Sequence, residues 1–351
     1  MAENWPDFTP VTLLTGFLGS GKTTLLRRLL TDPALANAAV LINEFGEIGL
    51  DHHLLERIDE NMVLLQSGCL CCTVRGELSD AIRDLHSKRE RGEIAPFDRI
   101  VIESTGLADP FPVLSTLKAD PVLRHHFKAA GVVTTVDAIN AGAQLSTYRE
   151  SMRQVAIADL IVLTKTDIAE EGQPDLVAAL VRRINPDAPM MASDDTFNVA
   201  RMLEGAETAH ASSLQSPGGF YCDDPGDLPR KDDADHPEGI RSFVLVSEGA
   251  VDWTAFGIWL TMLLNRHGDR LLRVKGILAV AGEEFPVAIH GVQHLVHPPV
   301  HMSSWPDGDR RSRIVFIADG ISPELIERSF NAFNGLAGDS RAEPRIEELQ
   351  R

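Results

Sequence analysis

Long apolar runs are missing from this chain. No segment approaches the ~18 apolar residues that a membrane-spanning helix requires. The run at Val11–Leu14 is too short for the core of a secretory signal, and no basic segment precedes it. A cytoplasmic protein without a membrane partner is therefore expected. Basic residues are in deficit too: 33 Lys and Arg stand against 51 Asp and Glu, a net charge of −18. Nucleic acid and anionic lipid both call for a basic face, so neither is expected as a partner, and the acidity reads as a contribution to solubility. Cysteine is scarce, with four in 351 residues, yet three of them fall within the stretch Gly68–Cys72. In a reducing compartment such a cluster points to metal binding or redox chemistry, not to a disulfide framework. Internal repeats are also absent.

What is present suits a two-domain globular protein, with 44% hydrophobic and 24% charged residues. Strand-like segments at Val11–Leu14, Ala39–Ile42, Met62–Leu65, Arg99–Ile102, Gly131–Val136 and Leu160–Leu163 alternate with helical stretches such as Lys22–Leu30, Arg75–Arg89 and Ser151–Ile157. That alternation predicts an α/β fold, a mostly parallel sheet with helices on both faces, over residues 1–204. Residues 205–239, rich in Gly, Pro, Asp and Ser, read as a flexible linker. A smaller α+β domain is expected over 240–337, with strands at Ser242–Val246, Arg273–Val280, Phe285–His290 and Arg313–Ile317. Its helices are expected at Trp253–Asn265 and Pro323–Phe333, and residues 338–351 read as a disordered tail.

Gly16-Phe17-Leu18-Gly19-Ser20-Gly21-Lys22-Thr23 fits the Walker A pattern at every required position, after a strand and at the start of a helix. Gly16, Gly19, Ser20, Gly21, Lys22, Thr23 and Thr24 are therefore assigned to the nucleotide. The glycines let backbone N–H groups turn inward around the β-phosphate, Lys22 spans the β- and γ-phosphates, and the Thr23 hydroxyl suits Mg²⁺. Glu103, at the end of a strand, stands where a carboxylate would polarise water or hold the Mg²⁺ shell, and Gly106 lets the backbone approach the γ-phosphate. Thr164-Lys165-Thr166-Asp167 follows another strand. Asp167 could accept two N–H bonds from a guanine edge beneath the Lys165 stem, which selects GTP; the alternative is a helix-capping Asp. Asn43–Asp51 is acidic and glycine-rich, stands where a switch would meet Mg²⁺, and offers Glu44 and Asp51 as ligands or water-positioning groups. A plain solvated loop is its alternative.

Cys69, Cys71 and Cys72 can supply thiolates to one borderline cation. Tetrahedral Zn²⁺ is the natural guest and Co²⁺ is compatible; a redox pair or buried apolar cysteines are the alternatives. The remaining Cys222 lies in the linker.

In this combination the chain resembles the CobW-type family of P-loop GTPases, relatives of the nickel-insertion GTPases of hydrogenase and urease. The resemblance rests on GFLGSGKTT, NEFGEIGLD, GCLCC, ESTGLADP and VDA in that order. RVKGIL, HGVQHLVHPP and WPDGDRRSRIVFIADGI extend it through the second half. It implies a GTP-hydrolysing metallochaperone that binds a divalent metal and delivers it to a client metalloprotein. Cobalt handling, nitrile hydratase-type activation and a metal sensor without delivery are the alternatives, and a small-molecule kinase is disfavoured by the cysteines. A homodimer is compatible with the sequence. Two departures stand out: Thr164 occupies the place of the usual Asn, and no long histidine-rich stretch is present. His290, His294, His297 and His301 invite a second metal site, but Pro298 and Pro299 break any helix that would align them, so a mainly structural role is expected.

Overall fold

A computed structural model describes residues 8–42, 63–66, 75–212, 239–306, 308–336 and 345–348. The chain divides into two compact units, one of residues 1–178 with 188–211 and the other of 179–187 with 212–351.

The first unit is built on seven parallel strands: β1 (Thr9–Gly16), β2 (Ala38–Ile42), β3 (Val63–Gln66), β4 (Arg99–Glu103), β5 (Phe127–Asp137), β6 (Leu160–Thr164) and β7 (Met190–Ala192). Their order is β3-β2-β4-β1-β5-β6-β7, with β1 at the centre. The fully buried runs of β2 and β6 are those of strands covered on both faces. Helix α1 (Lys22–Leu30) turns Leu25, Leu26, Leu29 and Leu30 onto one face of the sheet. Full burial of each leucine is worth roughly 1.5–3 kcal/mol. The other helices of this unit are α2 (Arg75–Glu90), α3 (Phe111–Ala119), α4 (Leu123–His126), α5 (Ala141–Thr147), α6 (Arg149–Ile157), α7 (Gln173–Ile184) and α8 (Val199–Ser212).

Helix α8 corrects the expected linker boundary, since the chain stays helical to Ser212 where composition placed a linker from residue 205. Met202, Leu203 and Ala206 recur at helical spacing and join α1 on the same face of the sheet. Glu207 adds ion pairs with Arg99 at 3.5 Å and Lys128 at 3.2 Å.

The second unit is an antiparallel sheet of β8 (Ile240–Ser247), β9 (Leu271–Leu278), β10 (Val287–Val292), β11 (Leu295–Val296), β12 (Val300–His301), β13 (Ser312–Asp319) and β14 (Arg345–Glu348). Their order is β11-β10-β9-β13-β8-β14, with β12 also pairing β10. Helices α9 (Trp253–His267) and α10 (Pro323–Leu336) bury Phe256, Trp259, Ile326 and Phe330 against one face. Trp259 meets Phe330 edge-on at 5.0 Å and donates from Nε1 to Ser329 Oγ at 3.0 Å. Strand β14 corrects the expected tail. Arg345–Glu348 pairs with Val246–Phe243 and covers an edge of β8 that would otherwise expose unpaired backbone groups. Its charged sequence hides the strand from a reading based on apolar pattern. No helix among the described residues is long and apolar enough to cross a membrane.

Candidate nucleotide site

Parallel pairing brings the carboxyl ends of all seven strands to one edge, and the phosphate loop leaves β1 there. At Gly16 φ is 144°, and a Cβ would lie 2.5 Å from the Thr135 carbonyl oxygen and against its hydroxyl, so only glycine fits. Ser20 Oγ lies 2.6 Å from Thr135 Oγ1, and the Ser20 amide donates to Phe17 O at 3.1 Å. Gly21 caps α1 with no side-chain hydrogen bond, and the first turn holds no acidic residue. The helix therefore presents its amides and positive dipole end to an anion. The Lys22 ammonium is buried within the loop, donating to Gly16 O at 2.8 Å and Phe17 O at 3.1 Å. Thr23 is half-buried, and Gly19 and Thr24 are exposed.

Glu103 ends β4 in register with Leu14 of β1 on one side and Ile42 of β2 on the other, and it is buried. The Ser104 amide donates to Leu14 O at 2.9 Å and its hydroxyl to Thr15 Oγ1 at 2.8 Å, which fixes the strand end beside the phosphate loop. Gly106 then touches the loop itself: a Cβ would lie 2.8 Å from Leu18 N and 2.9 Å from Leu18 Cα. Thr23 and Glu103 offer hard oxygen donors, the chemistry Mg²⁺ prefers, so the described residues fit that ion.

At β6, Thr164 turns its hydroxyl toward the phosphate loop. Oγ1 lies 2.7 Å from Ser20 O and 3.3 Å from Val136 O, and the side chain packs against Gly21. The Thr in place of the usual Asn is thus spent on bracing the loop. Lys165 follows with φ at 58°, and its ammonium meets Asp137 Oδ2 at 2.6 Å. Asp167 is exposed in the turn after β6. Helix α7 begins only at Gln173, so Asp167 is not a helix cap.

Asp137, at the buried end of β5, is a site residue to which the sequence reading gave no role. Burial opposes its ionisation. Hydrogen bonds from Lys165, from the Asn140 side chain and from the Ile139 and Asn140 amides nevertheless hold its carboxyl below the usual carboxylate range. The one available signal was an Asp at a strand end with Asn three residues on, the spacing of a local side-chain turn. Thr135 was missed as well, being one of two adjacent threonines inside an otherwise apolar run of β5.

Glu44, Asp51, Cys69, Cys71 and Cys72 lie outside the described residues. Among the described residues no three His, Cys, Asp or Glu side chains converge on a point where they could hold a metal. In the second unit His290 stacks on His297 at 4.8 Å, and His294 Nε2 meets Asp269 Oδ1 at 3.1 Å.

A central parallel strand ending in this loop, beside a strand ending in a buried acid, defines a P-loop nucleoside triphosphate hydrolase. Residues 10–192 match the family described as "CobW/HypB/UreG, nucleotide-binding domain", and residues 240–334 match the "Cobalamin synthesis protein cobW C-terminal domain". The chain belongs to this family and is a P-loop GTPase. It is 36% identical over 327 residues to the zinc chaperone YjiA of Escherichia coli, covering 91% of this chain and 97% of that protein. It is 28% identical over 338 residues to the zinc chaperone CobW of a Sinorhizobium species, covering 88% and 92%. The crystal structure of Zn(II)-bound YjiA GTPase superposes with a TM-score of 0.72 at 31% identity, over 93% of this chain and 99% of that one.

Proposed function

We propose that this protein, in its GTP-bound state, binds a divalent metal, zinc in the first instance, at Cys69, Cys71 and Cys72, and that GTP hydrolysis loosens the site and passes the metal to a client metalloprotein. The observation that carries this reading is a shared edge. The chain leaves β2 at Ile42, just before Glu44 and Asp51, and leaves β3 at Gln66, just before the cysteines. Both points lie at the carboxyl edge of the sheet that bears the phosphate loop. The relatives named as zinc chaperones support zinc as the cargo.

In this reading Gly16, Gly19, Ser20, Gly21 and Thr24 seat the phosphates through the loop, and Lys22 carries the positive charge that meets the transferring phosphoryl group. Lys165 and Asp167 recognise guanine, with Thr164 bracing the loop. Thr23, with Glu44 and Asp51, would hold Mg²⁺, which supplies charge neutralisation on the phosphates. Glu103 or Glu44 orients the attacking water. The water oxygen bonds the γ-phosphorus, the bond to the β–γ bridging oxygen breaks, and GDP and phosphate leave. Gly106 gives the backbone following Glu103 its close approach to the γ-phosphate.

The test mixes zinc-loaded protein with a metal-free zinc enzyme in the presence of a competing chelator. Acceptor activity should appear with GTP and stay near background with GDP or a non-hydrolysable analogue. Equal transfer in all three nucleotide states would turn the reading toward a sensor that holds metal without delivering it.

A further inference from the structure

Gln154, on α6, is among the most buried polar residues of the first unit, at 1% exposure. Its amide nitrogen donates to Gly106 O and to Ala108 O, both at 3.1 Å. Gly106 and Ala108 belong to one turn, closed by the Ala108 amide on Thr105 O at 3.1 Å. The same helical pair reaches the phosphate loop. Gln144 of α5 donates to Leu18 O at 3.4 Å, and Tyr148, between α5 and α6, stacks on Phe17 at 4.7 Å. The 105–108 turn is thus gripped from both sides, with Leu18 against Gly106 on one and the Gln154 amide on the other.

The amide is kept at a cost. Gln154 Oε1 is buried with no hydrogen-bond partner among the described residues. An orphaned buried acceptor costs roughly 1–3 kcal/mol, and an apolar side chain of the same size would avoid it. Nor does flipping the amide help, since that would set its oxygen against two carbonyl oxygens. The two N–H groups are what the site retains.

We infer that Gln154 is a positioning residue for GTP hydrolysis, holding the Thr105–Ala108 turn at the distance from the phosphate loop that the reacting γ-phosphate requires. A planar trans peptide carries its C=O and N–H on opposite sides. Pinning the Gly106 and Ala108 carbonyls therefore fixes the directions of the Leu107 and Asp109 amides. The inference rests on the reading that the segment after Glu103 faces the γ-phosphate, and not on any step of metal delivery.

The experiment compares the full-length protein with Gln154→Met, which keeps the volume and removes both donors, and Gln154→Asn, which keeps the amide but shortens its reach. Single-turnover GTP hydrolysis and affinity for GDP are measured for each, beside Gly106→Ala. Misplacement by about 1 Å can cost on the order of 10²-fold in rate. Gln154→Met should lose about 10- to 100-fold in the hydrolytic step, Gln154→Asn less, and both should bind GDP within about twofold of the parent protein. The inference is overturned if hydrolysis is unchanged, if GDP affinity falls in step with the rate, or if neither variant folds, since Gln154 would then be a packing residue only. A rate loss in Gly106→Ala without one in the Gln154 variants would discard the role of Gln154 alone. No loss in any of the three would discard the γ-phosphate reading of the segment as well.

Discussion

The two sheets of this molecule handle buried polar groups differently. In the parallel sheet, Thr15, Glu103, Thr135, Asp137 and Thr164 are all buried, and all lie at or near the carboxyl ends of β1, β4, β5 and β6. Parallel strands deliver those ends to one edge, so four separate stretches of sequence converge where the phosphate loop leaves β1. In the antiparallel sheet Arg273, Lys275 and His290 are buried mid-strand in β9 and β10, where His290 lies beside Lys275 in register. Ser247, Ser312 and Asp319 are buried at ends of β8 and β13, the two serines at one edge and Asp319 at the opposite one. Antiparallel strands alternate their ends, so this sheet gathers no comparable edge. Topology thus assigns the phosphate chemistry to the first unit.

The largest effect that sharpens this comparison is expected from Lys22→Ala. It removes the ammonium from the phosphate loop and should lower kcat for GTP by about 10³-fold. A steady-state phosphate-release assay decides it, and an unchanged rate would remove the assignment of the loop. Next comes Asp167→Asn. Each charge-assisted hydrogen bond lost to the guanine edge is worth roughly 1.5–3 kcal/mol, so GTP affinity should fall at least tenfold while ATP affinity barely moves. Calorimetric titration with both nucleotides distinguishes this from a general loss of binding.

Asp137→Asn should be smaller, costing about 1–3 kcal/mol of stability at neutral pH through loss of the carboxylate that anchors Lys165 and the Asn140 turn. The sign with pH follows from the direction of the shift. Its carboxyl titrates lower in the folded protein than in the unfolded chain, so its contribution is fully present above the ordinary carboxylate pKa of about 4. That contribution is lost as pH falls toward the depressed folded value. Urea denaturation of both proteins between neutral pH and about pH 3 should show the difference closing as pH falls. The smallest effect is expected in the second sheet. Removing residues 337–351 strips β14 from β8 and should lower the melting temperature by a few degrees while leaving GTP hydrolysis unchanged.

Much of the first unit was legible because its signals are periodic or covalent. The boundaries expected for α1, Lys22–Leu30, are those observed, since glycines stop the chain before the helix and leucine spacing carries it through. Six of the seven parallel strands stand out as apolar runs. Strand β7, Met190–Ala192, is apolar too, but at three half-exposed residues it is too short to stand out as a strand. Gly205 suggested a linker, but a helix tolerates one glycine when Met202, Leu203 and Ala206 bury a face. Among the site residues, those in motifs were legible. Asp137, Thr135 and Gln154 were not, because none belongs to a motif: Thr135 is one of two adjacent threonines in β5 and Gln154 one of several polar residues in α6, and the partners of each appear only after strands and helices have been placed side by side.

The central claim is that nucleotide state and metal affinity are one equilibrium. Zinc affinity measured with a non-hydrolysable GTP analogue and again with GDP tests it most directly, on the parent protein and on the Cys71→Ser, Cys72→Ser double variant. Linkage of this kind is typically worth ~1–3 kcal/mol, so zinc should bind roughly 5- to 150-fold more tightly in the GTP-like state. GTP affinity should rise by the same factor when zinc is present. The double variant should lose both the tight zinc binding and the coupling while still binding nucleotide. Equal zinc affinities in the two nucleotide states would contradict the account and leave a GTPase whose metal site is indifferent to its nucleotide.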